Sequence, residues 1–107
     1  MNLGTLLLRL NRLDEAEAHL RESIGIDPRF PVAHLRLGQL LEKKERYEEA
    51  IAELEQAARL DPTYPEPHYA LGRIYRKRGD VKVAETELSI FQDLRKTDKL
   101  KGITRPD

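Results

Sequence analysis

The sequence predicts an all-α protein, an α-solenoid of three antiparallel helix pairs, and three observations support this fold class. Gly4, Gly38 and Gly72 stand 34 residues apart, which is the period of an internal repeat. Within each unit, apolar residues recur at steps of three and four on both sides of a polar break, as in two amphipathic helices. Asp27-Pro28 and Asp61-Pro62 occupy equivalent places, where proline ends a helix because it has no N–H to donate.

The repeat register divides the chain into three units and a tail. Residues 1–30 form an incomplete first repeat, 31–64 the second, 65–98 the third, and 99–107 the C-terminal tail. The breaks between the helices of each pair are expected near Asn11, Glu45 and Gly79. Pro31 and Pro65 stand where the first turn of a helix tolerates proline.

Small residues recur in the same register and predict that the two helices of each pair cross closely. We expect three glycines on the first helices to face three alanines on the second helices, namely Gly4, Gly38 and Gly72 opposite Ala16, Ala50 and Ala84. The shared register also predicts the core, which consists of Leu37, Leu41, Ala50, Leu54, Ala57, Leu71 and Leu88.

Composition limits the classes of function. The 107 residues include 19 basic and 19 acidic side chains and no cysteine, so strong overall affinity for nucleic acid and thiol chemistry are not indicated. Arg9 and Arg12 interrupt the N-terminal leucine run, which disfavours a signal peptide. No stretch approaches the about 20 apolar residues of a membrane span. We therefore expect a cytoplasmic protein, or a segment of a longer chain, that does not interact with membranes.

The sequence offers no catalytic constellation. His34 and His68 stand at equivalent places in successive repeats, and such places lie about 8–10 Å apart when helices pack side by side. Each ring is therefore expected to be half-buried in its own repeat rather than to share a metal. No nucleophile, phosphate-loop or metalloprotease motif is present. The prediction is a non-enzyme with no catalytic residues, no cofactor and no metal.

These repeated residues resemble the tetratricopeptide repeat family. Leu3-Gly4, Leu37-Gly38 and Leu71-Gly72 match its Leu-Gly signature, with an alanine in each second helix and Pro28 and Pro62 closing the units. His34 and His68 depart from the large aromatic usual before Leu-Gly. The resemblance implies a right-handed superhelix that binds other proteins, with the first helices on the concave face and the second helices on the convex back.

Charge is divided between the two sets of helices, since the predicted first helices are mostly basic and the second helices mostly acidic. With the family's arrangement, this predicts a basic concave groove that binds an acidic, peptide-like segment of a partner protein. Leu35 and Tyr69 would add apolar contact. The expected groove residues are Arg36, Gln39, Lys43, Tyr69, Arg73, Arg76 and Lys77.

Two alternatives stay open. RNA binding is disfavoured because three units with no net charge would contact few phosphates, although residues 75–79 form a basic run beside Tyr75. Self-association, or continuation of a longer array, is favoured by apolar residues that replace polar ones near both ends. These residues are Leu8, Leu10, Val83 and Ile90, and a homo-oligomer or docking of the tail would cover them.

Overall fold

The computed structural model describes the backbone of residues 3–104 and the side chains of Leu3 and residues 9–97. This part of the chain forms five α-helices. They are α1 (Leu3–Ile26), α2 (Pro31–Lys43), α3 (Tyr47–Leu60), α4 (Glu66–Lys77) and α5 (Val81–Thr104). The prediction of an all-helical repeat fold is confirmed.

Four of the five described helices form two pairs, α2 with α3 and α4 with α5. The first pair contacts the second through α3 and α4, and more lightly through α2 and α4, while α1 packs on α2. The first helices of the two complete repeats, α2 and α4, are therefore neighbours. Their shared face is where the sequence predicts the groove.

The chain reverses through the same turn in both pairs. Glu45 and Gly79 have φ angles of 61° and 85°, in the left-handed region. After each, an amide N–H reaches back five residues, from Arg46 to the Leu41 carbonyl and from Asp80 to the Tyr75 carbonyl, both at 2.9 Å. This bond satisfies a carbonyl at the end of the first helix. The predicted breaks near Glu45 and Gly79 are confirmed.

The break predicted near Asn11 is wrong, because α1 continues from Leu3 to Ile26. The described chain therefore has two helix pairs and one long helix, where the sequence predicted three pairs. Gly4 and Ala16 lie on the same helix and cannot face each other. The segment before Asn11 is rich in leucine, a strong helix former, and extending a helix adds one hydrogen bond per residue, so continuation is favoured over a turn.

The main core cluster is formed by buried residues of α2, α3 and α4. Of the seven predicted core residues, Leu37, Leu41, Ala50, Leu54, Ala57 and Leu71 are buried. Leu88 is only half-buried. It occupies the place of Leu54 in the last pair, where the described structure provides no following helix to cover it.

The helix pairs do cross closely at their glycines. A Cβ atom built on Gly38 would lie 2.6 Å from Leu54 Cγ, and one on Gly72 would lie 2.8 Å from Leu88 Cγ. The nearest neighbour is thus a leucine side chain rather than the predicted alanine methyl. Ala50 and Ala84 contribute their carbonyl oxygens, each at 3.3 Å.

An ion-pair network holds α1 against the first helix pair. The Glu17 carboxylate accepts hydrogen bonds from Lys44 at 2.7 Å, from Arg21 at 2.9 Å and from Arg46 at 3.0 Å. The bonds from Lys44 and Arg21 lower the pKa of Glu17 to about 2, despite the opposing effect of burial. Leu20 and Ile24 pack against the core beside this network.

The described helices are too short or too polar to cross a bilayer.

Candidate functional site

An open cleft of about 460 Å³ lies between α2 and α4 on the face formed by the first helices. Four of the predicted groove residues line it together with one residue that the prediction omitted. The lining is Gln39, Glu42, Lys43, Arg73 and Lys77. Because α2 and α4 are equivalent helices of adjacent repeats, side chains 34 residues apart stand side by side along the cleft.

Glu42 organises the cleft. Its side chain is only 5% exposed, and it accepts two parallel hydrogen bonds from Arg73, at 2.7 and 2.9 Å, and one from Lys77 at 3.0 Å. Burial raises the pKa of Glu42, but the hydrogen bonds and charges of Arg73 and Lys77 together lower it by more. The pKa of Glu42 therefore lies below its ordinary value. Glu42 therefore carries a buried negative charge shared between two cations.

Glu42 adds one acidic residue to the groove that the sequence predicts to be basic. One carboxylate among three cations leaves the cleft a net charge of about +2. Glu42 lies three residues after Gln39, on the same helical face, and this spacing was the signal that could have placed it in the groove. The charge of Glu42 was included in the sum for the first helices, but Glu42 was not predicted to lie in the groove.

Three predicted groove residues do not line this cleft, namely Arg36, Tyr69 and Arg76. Tyr69 is half-exposed and contacts Phe91 of α5, with ring centroids 5.1 Å apart. The Arg73 guanidinium lies 5.6 Å from the Tyr69 ring. Arg36 and Arg76 are exposed, and neither forms an ion pair with the side chains that the structure describes.

Leu35 does not contribute to the groove. It is buried in the core, so the predicted apolar contact at this position is wrong. It stands at the place of Tyr69, which the described structure leaves partly open because no helix follows α5. The same repeat position is therefore core in one repeat and surface in the next.

A second cleft of about 610 Å³ lies where α1 meets the C-terminal end of α2. It is lined by Arg9, Leu10, Leu13 and Lys43. Lys43 thus belongs to both clefts. The sequence assigned Leu10 to self-association and gave Arg9 and Leu13 no role, since it placed Leu10 at the end of a short first helix rather than within α1.

The sequence matches two models of one family along most of its length. A tetratricopeptide repeat model matches residues 7–56, and a TPR repeat model matches residues 43–79. The chain is a tetratricopeptide repeat (TPR) protein. Repeats of this family are modules of protein interaction, and neither model is that of an enzyme family. No curated protein matches the sequence.

Solved structures agree on the fold. A crystal structure of MamA superimposes with a TM-score of 0.80 at 16% identity, over 91% of this chain and 57% of MamA. MamA MSR-1 C2 gives 0.77 at 24% identity, covering 90% and 55% of the two chains. The MamA RS-1 ArsTM double mutant gives 0.76 at 24% identity, covering 89% and 53%. This TPR chain thus spans little more than half the length of these structures.

Of the residues predicted for self-association in the TPR chain, Leu10 lies on α1 and both Val83 and Ile90 lie on α5. The side chain of Leu8 lies outside the described residues. Leu10 faces the cleft beside Lys43, whereas Val83 and Ile90 lie on α5, at the other end of the stack. Val83 is exposed, and Ile90 is half-buried in a shallow depression whose other lining residues are Lys82, Glu85, Thr86 and Ser89.

The histidines of the two complete repeats each bind a glutamate on the second helix of their own pair. His34 is buried, with Nδ1 2.8 Å from Glu53 Oε1 of α3 and Nε2 donating to the Pro28 carbonyl at 2.8 Å. Nδ1 of His68 lies 2.7 Å from Glu87 Oε2 of α5. Among the described residues, no three metal-binding side chains converge. The rings therefore connect the two helices of a pair.

Proposed function

We propose that this TPR chain is a non-catalytic interaction module whose α2–α4 face binds an acidic, peptide-like segment of a partner protein. The observation that carries the proposal is the cleft in which Glu42 holds Arg73 and Lys77. The cleft keeps a positive charge after that carboxylate is counted, and a carboxylate-bearing segment complements it.

Glu42 prepares its cations for binding. Arg73 uses Nε and Nη2 on Glu42, which leaves Nη1 with two N–H groups, and Lys77 uses one of its three donors. Both side chains remain about half exposed. Since their geometry is already set, a ligand carboxylate would bind them with a smaller loss of side-chain entropy.

The surroundings extend the positive field. Lys43 lines the cleft without an ion pair among the described side chains, and Arg36 and Arg76 are exposed on the same two helices. Such a field accelerates encounter with an acidic segment and weakens as salt is added. The described part of this basic face is short, because it contains the first helices of two complete repeats, α2 and α4, and so few phosphate contacts favour a peptide over an RNA strand.

The test is fluorescence anisotropy with a labelled peptide of alternating glutamate and alanine. We expect saturable binding that weakens steeply between low and high salt, and no binding of a matched lysine–alanine peptide. Lys43→Glu should weaken binding about tenfold or more, as expected when an attractive charge becomes repulsive. Lys82→Glu, on α5, is the matched control and should bind normally.

Lys43 is a better choice than Arg73 or Lys77, because reversing either of those would place a new carboxylate against the buried Glu42. Equal binding of both peptides, or normal binding by Lys43→Glu, would refute the proposal. Preference for a labelled oligouridine over the acidic peptide would favour the RNA alternative instead.

A further inference from the structure

We infer that the binding groove continues onto α1, where the cleft of Arg9, Leu10, Leu13 and Lys43 accepts an apolar side chain of the same acidic segment. This inference rests on the proposed function and specifies its ligand, which is a segment that carries one large apolar residue beside its carboxylates. The structure provides three separate supports.

The first support is continuity. Lys43 lines both the α2–α4 cleft and the α1–α2 cleft, so the two share a wall formed by one side chain. A segment that leaves the first cleft past Lys43 enters the second. The groove therefore spans α1, α2 and α4, and its two ends differ in chemistry.

The second support is the position of Leu10 in the repeat. Lys44 and Arg78 occupy the equivalent places, and each forms an ion pair with an acidic residue of the preceding helix, Lys44 with Asp14 and Arg78 with Glu48. Leu10 cannot form such a pair, and its side chain is 42% exposed. An exposed leucine where the other repeats hold a paired cation contributes apolar surface that packing within the described chain does not cover.

The third support is charge. Arg9 and Lys43 flank Leu10 and Leu13, and the described lining of this cleft contains no acidic residue. A purely apolar ligand would leave these cations without a partner, and a basic ligand would be repelled. An apolar side chain next to a carboxylate satisfies both parts of the cleft.

The experiment compares two labelled peptides, one of alternating glutamate and alanine and one in which a single central alanine is leucine. We expect the leucine peptide to bind about tenfold more tightly, the gain expected from burying one leucine side chain. Leu10→Gln should abolish that gain and leave the affinity for the plain acidic peptide unchanged. Val81→Gln is the matched control, because Val81 is an exposed apolar residue of α5, and it should keep the gain.

The outcomes separate this inference from the proposed function. If neither peptide binds, both fail. If the plain peptide binds but leucine adds nothing, or if Leu10→Gln keeps the gain, the extension onto α1 is refuted and the acidic groove remains. If light scattering shows a dimer that Leu10→Gln converts to a monomer, a second copy of the chain occupies this cleft and the inference is overturned.

Discussion

Arg78 Nη2 lies 2.7 Å from Glu48 Oε1, and this ion pair repeats the one between Lys44 and Asp14 one repeat earlier. Glu48 is 83% exposed, so its pair contributes little to stability. The earlier pair belongs to a different environment, because Lys44 also binds Glu17, whose side chain is only 12% exposed. The same contact between repeats is therefore weak at α4 and part of a network at α1.

The Glu17 network predicts acid sensitivity. The folded pKa of Glu17 is about 2 against an ordinary 4.5, so its contribution is complete above pH about 4.5 and is lost as pH falls towards 2. Glu17→Gln should cost about 1–2 kcal/mol at neutral pH, reduced from the full linkage value because the network is partly solvated. Thermal melting between pH 2 and 7 measures this. The melting temperatures of the native chain and of Glu17→Gln should converge at low pH. The exposed control variant Glu15→Gln should melt like the native chain at every pH.

The buried carboxylate of the cleft predicts that its partners act together. Arg73→Met should cost about 1–3 kcal/mol, because Glu42 would keep only Lys77 as a cation. Glu42→Met combined with Arg73→Met should recover much of that loss, since no charge is then left buried. Urea unfolding of the native chain, of Glu42→Met, of Arg73→Met and of the double variant gives the four free energies of unfolding that the comparison needs. A double variant as unstable as the sum of the singles would show that the pair is not coupled, and Arg76→Met serves as the exposed control.

Helix crossing predicts opposite effects at two glycines. Gly38→Ala would place a Cβ 2.6 Å from Leu54 Cγ and should destabilise by about 1–3 kcal/mol through overpacking. Gly25, in α1, has no neighbouring atom within 4 Å of such a Cβ, so Gly25→Ala should be neutral or stabilise by up to about 1 kcal/mol. The melting temperatures of the two variants, each compared with that of the native chain, test this prediction. Equal effects would remove the close-crossing explanation of Gly38.

The His34 ring is expected to act through its hydrogen bonds rather than as an aromatic filler. His34→Phe keeps a flat ring but leaves the Pro28 carbonyl and the Glu53 carboxylate without this partner, at a cost of about 1–3 kcal/mol. The exposed His19→Phe should change little. Urea unfolding compares them, and full stability of His34→Phe would show that the family's usual aromatic suits this position equally well.

Self-association through α5 makes a separate prediction. Val83 is exposed and Ile90 half-buried on this helix. If they form a contact between copies, the native chain should show a mass above that of the monomer in sedimentation, and Val83→Glu with Ile90→Gln should restore the monomer. A native chain that is monomeric at all accessible concentrations would exclude the contact.

The sequence alone determined the repeat fold and the ends of its central helices. The turns at Glu45 and Gly79 and the buried positions of Leu37, Leu54 and Leu71 follow from the period and from local rules, because helix periodicity and chain reversal depend on near neighbours. With the concave face that the family resemblance implies, the sequence also assigned four residues of the α2–α4 cleft to one groove.

The tertiary structure decided what depends on distant neighbours. Whether Asn11 reverses the chain depends on the packing available to the segment before it, and α1 instead continues as one helix. Leu35 and Tyr69 share a repeat position, yet only Leu35 is buried, because within the described residues a following helix pair packs on the pair that contains Leu35 and none follows the pair that contains Tyr69. Glu42 could be counted from the sequence, but its role required Arg73 and Lys77, 31 and 35 residues away, to meet it in space. An electrostatic site is set by distances between side chains, and those distances exist only once the repeats have stacked.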